Sequence, residues 1–242
     1  DYTQPDYWVT HVDLTFDLRE GETFVNAKLQ VKKNGNHHHP LLLDGENLEL
    51  LEVKLNDLVL AKETNLTEGY VVDKKSLSLQ PTIDTFTVTT LVRIHPEQNT
   101  ALEGLYKSGG NWCTQCEAEG FRRITFFPDR SDNMATYTTK IMADHTTAPV
   151  LLSNGNLVDK GRLDDGRHYT VWEDPFPKPS YLFALVGGDL ACLEDTFVTT
   201  SGRTVALRIY AAPKDLDKLG HAMASLKKSM KWDEEVYGRE YD

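Results

Sequence analysis

From residue 12 onward the chain alternates. Val12, Leu14, Phe16 and Leu18 are apolar, and Asp13, Thr15 and Asp17 separate them. Val25, Ala27, Leu29 and Val31 alternate in the same way with Asn26, Lys28 and Gln30. A period of two sends successive side chains to opposite faces, so each segment predicts a strand with one buried and one wetted face. Arg19-Glu20-Gly21-Glu22 predicts the hairpin loop that joins them. The alternation returns at Phe86, Val88, Thr90, Val92 and Ile94, and His95-Pro96 predicts its end, because proline has no N–H for a ladder. Further strands are predicted over 136–143, 150–152, 169–172 and 181–186, with turns at Asn154-Gly155 and Asp164-Asp165-Gly166. Asp174-Pro175-Phe176-Pro177-Lys178-Pro179 predicts a stiff extended connector, since each proline fixes φ and removes a donor. Many short strands at this spacing imply a mainly β domain, a sandwich or a saddle-like set of sheets.

The pattern changes after Asp195. Val205, Leu207 and Ile209 predict one more strand. Leu216, Leu219, Met223, Leu226 and Met230 then recur at helical spacing and predict an amphipathic helix that Gly238 stops. Lys218, Lys227, Lys228 and Lys231 read as its solvated face. The division is therefore placed at 1–195, a β-rich domain, and 196–242, the beginning of a second. The second piece, roughly 47 residues, is too short to bury a comfortable core alone.

Composition narrows the function classes. The 242 residues are 40% hydrophobic and 26% charged, as in ordinary globular proteins. The net charge of −11 argues against nucleic acid, which is held by Lys and Arg; it does not exclude a cationic substrate, and most of it reads as solvated surface. No apolar run reaches the roughly 20 residues of a membrane span. No secretory signal is visible, so the expected location is cytoplasmic, although the chain begins at Asp1 rather than Met. The three cysteines suit a reducing compartment, and the sequon Asn65-Leu66-Thr67 reads as chance.

No complete catalytic constellation is present. H-E-x-x-H, G-x-S-x-G, the P-loop and G-x-G-x-x-G are all absent. Trp112-Cys113-Thr114-Gln115-Cys116 matches a redox pattern, but Glu117 and Glu119 would raise a nearby thiol pKa and no long helix follows. His37-His38-His39 reads as an exposed turn, because a metal site would need convergent ligands from elsewhere. The densest chemistry lies in residues 115–130. Glu117 and Glu119, in a Gly-terminated segment beside Phe121, Phe126 and Phe127, suit an acidic pocket for an ammonium group. Arg122, Arg123, Asp129 and Arg130 equally suit a structural network that consumes those carboxylates, and the residues alone leave both open.

Residues 99–106, 115–130, 151–156, 174–189 and 229–235, with Tyr241-Asp242, together resemble the M1 family of zinc metalloaminopeptidases, of the alanyl aminopeptidase type. The resemblance runs over nearly the whole chain. It implies an N-terminal β-rich domain followed by the first strand and helix of a thermolysin-like α+β catalytic domain. It implies that Gln115 lines the S1 pocket and that Glu117 binds the free α-amine of a peptide substrate. Glu119 and Arg122 receive no substrate role from it. The family's G-A-M-E-N segment and H-E-x-x-H zinc site match no residue here. The expectation is thus an N-terminal portion of a Zn2+ enzyme that binds no metal itself, is inactive alone, and works with a downstream catalytic domain on peptides with a free N-terminus. A stand-alone β-sandwich binding module is the alternative, with a Cys-x-x-Cys redox protein behind it.

Overall fold

A computed structural model describes residues 2–66 and 68–241. Thr67 of the sequon and the two terminal residues lie outside the described residues. In chain order the strands are β1 (Tyr7–Leu18), β2 (Thr23–Lys33), β3 (Leu41–Asp44), β4 (Glu49–Leu55), β5 (Leu58–Val59) and β6 (Tyr70–Val72). They continue as β7 (Ser76–Leu79), β8 (Thr85–Ile94), β9 (Gly104–Ser108), β10 (Asn111–Gln115), β11 (Ala135–Ala143) and β12 (Val150–Ser153). The last five are β13 (Asn156–Arg162), β14 (His168–Lys178), β15 (Leu185–Gly188), β16 (Ala191–Val198) and β17 (Thr204–Ala211), followed by helix α1 (Leu219–Tyr237).

Through Gly188 the chain forms one compact unit. Its large sheet has the order β13-β14-β11-β1-β2-β8-β4-β5, beside a four-stranded sheet β12-β15-β10-β9 and a three-stranded sheet β3-β7-β6. The alternating segments read from the sequence are β1, β2 and β8, at the middle of the large sheet. β1 also pairs parallel with β11, Val12 opposite Tyr137 and Phe16 opposite Ile141. A bulge at Thr10 lets Val9 and Val12 both face inward, which explains why the alternation starts cleanly only at residue 12. Inward residues of the large sheet join Leu41, Leu43, Leu77 and Leu79 from the three-stranded sheet and Leu105, Trp112, Leu151 and Leu185 from the four-stranded one in a continuous core. Each fully buried apolar side chain of this size contributes about 1.5–3 kcal/mol, so the packing of small sheets on the large one holds the unit together.

Two sequence expectations change here. The proline connector is not a connector: its residues through Lys178 extend β14. Pro175 and Pro177 fall where the β11–β14 register shifts between Tyr137↔Asp174 and Ala135↔Lys178, and β13 stops pairing at Glu173. Their missing N–H groups therefore interrupt no ladder. The strand predicted at 181–186 is a 3-10 turn at Ser180–Leu182 followed by β15.

The second unit begins at Asp189. The predicted division at 195/196 falls inside β16, whose residues 191–195 pair with residues 207–211 of β17 and go with that hairpin. Leu216 sits in a 3-10 turn, Pro213–Lys218, so helix α1 starts later than its apolar spacing suggested. It ends at Gly238, whose φ of 63° is the left-handed cap that glycine adopts freely. Glu234 accepts from the Thr200 backbone and hydroxyl (3.3 and 2.9 Å), tying the helix to the hairpin turn. Lys227 is not merely solvated, because it pairs with Asp195.

Candidate functional site

The site grows from the end of β10. After Gln115 the chain makes a turn through residues 116–120, then a 3-10 turn at Phe121–Arg123. Phe121, Ile124, Phe126 and Phe127 are all buried. The Phe121 ring meets Phe127, Phe183 and Tyr137 edge-on, at centroid distances of 5.0, 5.3 and 6.3 Å. Phe127 also exchanges backbone hydrogen bonds with Asp44 at the end of β3 (2.8 and 3.0 Å). These anchors sink the apolar half of the segment into the core and leave its charged half at the surface. Gly120 makes the turn possible, since a Cβ there would stand 2.4 Å from the Gln115 carbonyl oxygen and 2.9 Å from the Gly104 nitrogen.

Most of the charges are then consumed by one another. Asp129 is buried and accepts from the Arg122 backbone N–H (3.1 Å), from Arg122 Nε (3.2 Å) and from the Ser180 hydroxyl. Arg122 also lies 3.4 Å from Glu119 and 3.9 Å from Asp44. Burial opposes its charge, but the hydrogen bond to Asp129 and the three carboxylates around it outweigh that and raise its pKa further. Arg123 pairs with Glu46 (2.8 Å) and Glu103 (3.0 Å). Arg130 pairs with Asp132 (2.7 Å), and this hydrogen bond holds the Asp132 carboxyl below its ordinary range.

Glu117 is the exception. Among the described residues its carboxylate has no hydrogen-bond or ion-pair partner, and it lines a cavity of about 490 Å³. Four carboxylates, those of Glu117, Glu119, Asp129 and Asp132, line this cavity against the single guanidinium of Arg130. Tyr2 and Tyr181 form part of the wall. The Glu117–Ala118 peptide bond is cis. Gln115 is exposed and does not line the cavity; its amide donates to the Glu117 carbonyl oxygen (3.2 Å), bracing the loop that carries the carboxylate. The two residues singled out in the sequence are thus in contact, with only Glu117 on the cavity. The sequence did not show that Asp44, Ser180, Tyr2 and Tyr181 converge on the same place.

The cavity does not fit zinc. No histidine or cysteine lines it, Asp129 and Asp132 are committed to arginines, and zinc centres draw on imidazole and thiolate donors. Among the described residues the one group of metal-ligating type is Asp6, His37 and His39, none of which lines it. Thiol redox chemistry is equally disfavoured. Cys113 lies in β10 rather than at a helix N-terminus, and all three cysteines are free. Burial, helped by Asp129, pushes the Cys116 thiol up to about 12, where it carries no thiolate at neutral pH.

The fold and this acidic rim define a β-sheet module in which, among the described residues, one unpaired carboxylate lines a cavity. Residues 4–182 match the Peptidase M1 N-terminal domain. The chain is 50% identical over 242 residues to aminopeptidase N of Escherichia coli and 50% identical to aminopeptidase N of Caulobacter vibrioides. It is covered completely in both matches but spans only 27% of either relative. Legionella pneumophila aminopeptidase A, solved in complex with aspartic acid, superposes with a TM-score of 0.92 at 40% identity, over 100% of this chain and 28% of that one. An M1 zinc metallopeptidase from Deinococcus radiodurans shares the fold at a TM-score of 0.70 and 18% identity, over 87% of this chain. The chain belongs to the M1 peptidase family, as its N-terminal portion.

Proposed function

We propose that this chain is the amine-binding portion of a zinc aminopeptidase, and that Glu117 receives the free α-ammonium of a peptide substrate. The observation that carries the reading is the isolation of Glu117. In a segment where Arg122, Arg123 and Arg130 neutralise every neighbouring carboxylate, Glu117 alone keeps its charge unspent and faces a cavity. An ammonium group there gains charge-assisted hydrogen bonds that no side chain of the module supplies.

Holding the amine at a fixed point lets only the first peptide bond reach the reacting centre, which is how an exopeptidase counts residues. A blocked N-terminus would leave the carboxylate unpaired, so it is rejected. Gln115 braces the loop through the Glu117 carbonyl and, on this reading, borders the pocket for the first side chain. Zinc and the general base would come from residues outside this chain. Residues from 189 onward would open the catalytic domain, and the enzyme would act in the cytoplasm on peptides. No observation favours a stand-alone binding module.

The test is Glu117→Gln in the intact enzyme. Loss of a charge-assisted pair worth about 1.5–3 kcal/mol predicts a fall of roughly 10- to 150-fold in kcat/KM for substrates with a free N-terminus. Unchanged kcat/KM, with the variant still folded, would sink the assignment.

A further inference from the structure

The His37-His38-His39 run lacked convergent ligands in the sequence, and the fold supplies one. Asp6, just before β1, meets His37 and His39 so that one donor atom from each of the three lies within 4.8 Å of the others. His39 Nδ1 stands 3.0 Å from Asp6 Oδ2. The two imidazoles stack side by side, with centroids 5.1 Å apart and planes at 27°. His38, between them, is not in the group.

The surroundings are built rather than loose. His37 Nε2 lies 2.9 Å from the Asp6 carbonyl oxygen. His37 Nδ1 accepts the His39 backbone N–H at 3.2 Å. The ring therefore donates through Nε2 to a backbone carbonyl, and its Nδ1 lone pair is held by the His39 N–H, a bond that an incoming ion must displace. Tyr7 packs edge-on to the His37 ring at 5.1 Å, and its hydroxyl donates to the His39 carbonyl (2.7 Å). The Asn34 side chain donates to the Pro5 carbonyl (2.8 Å), closing the loop onto the beginning of β1.

We propose that Asp6, His37 and His39 form an accessory binding site for a divalent late first-row transition ion such as Zn2+, distinct from the Glu117 cavity, which none of them lines. Two imidazole nitrogens and one carboxylate oxygen suit that class of ion, with water completing its coordination. Zinc–nitrogen bonds of about 2.0–2.1 Å place tetrahedral donors about 3.3 Å apart. The donors must therefore close in, and the exposure of His39 (67%) and Asp6 (48%) leaves both side chains free to rotate inward. Binding would cross-link the start of β1 to the loop after β2 and stabilise the folded unit in proportion to metal concentration.

The test measures metal per chain after equilibrium dialysis of the intact protein against micromolar free Zn2+, comparing wild type with a His37→Ala/His39→Ala variant. Metal held elsewhere cancels in the difference, so the outcome is independent of the aminopeptidase reading. The expected result is one additional ion in wild type, loss of it in the double variant, and retention in His38→Ala. Asp6→Asn weakens binding by about 10–100-fold. His39→Ala alone guards against misfolding, because its ring touches the Asp6 carboxylate while the His37 backbone contacts stay in place. Equal metal content in wild type and in both the double variant and His39→Ala overturns the proposal. So does a loss in His38→Ala as large as that in His39→Ala.

Discussion

Asp129→Ala should loosen the loop that carries Glu117, and the size of the effect follows from what the carboxylate holds. Its side chain is 1% exposed, against 22% for Arg122, and it accepts two bonds from Arg122 and one from Ser180. Truncation leaves a guanidinium, a backbone N–H and a hydroxyl without their acceptor. Breaking a buried ion pair from one side costs about 3–5 kcal/mol. Arg122 keeps Glu119 and Asp44 and is partly wet, so the low end applies, about 3 kcal/mol. The reporter is Cys116, which is buried directly in this turn and whose thiol, at about 12, is protected until the segment opens. At about 1.4 kcal/mol per tenfold, the opening equilibrium should rise roughly 150-fold. Thiol labelling followed site by site with peptide mass spectrometry should show Cys116 accelerating by that order while Cys192, in the second unit, changes little. A Cys116 rate within threefold of wild type would show that Asp129 does not hold the loop, and the account of the site would fail.

Gly120→Ala should destabilise the first unit by about 1–3 kcal/mol in urea unfolding, because the new Cβ meets backbone atoms at 2.4 and 2.9 Å that cannot rotate away; a neutral result would mean the turn is softer than described. His168 predicts a pH dependence. Burial lowers its pKa from 6.5, against the opposing hydrogen bond to the Ala148 carbonyl (2.7 Å). The unfolded ring then takes a proton before the folded one does, so its contribution is fully present above pH 6.5 and is lost as pH falls from there through the depressed folded value. His168→Gln should flatten that part of the stability profile, and parallel profiles for the variant and wild type would refute the assignment.

The strands β1, β2 and β8 were legible because their period of two is a local property, set by which face of each strand is dry. The stop at Gly238 and the β17 segment were legible for similar local reasons. β3 and β7 were not read from the sequence. Nor was the fate of Pro175 and Pro177, which depends on where a neighbouring strand stops pairing.

At the site the same division holds. The sequence by itself determined that residues 115–130 hold a dense mixture of carboxylates, arginines and aromatics, and that Glu117 and Gln115 stand close together. It left open whether the carboxylates bind a ligand or the neighbouring arginines. Only the tertiary structure showed which of them are paired, by bringing Asp44 from β3 and Ser180 from the turn after β14 to the same arginine–aspartate cluster, with Glu117 left without a partner among the described residues. It likewise brought Asp6 to His37 and His39. Charge pairing acts through a few ångströms of space, whereas Asp44, Ser180 and Asp6 lie tens of residues from their partners along the chain, so these contributions exist only once the sheets have packed.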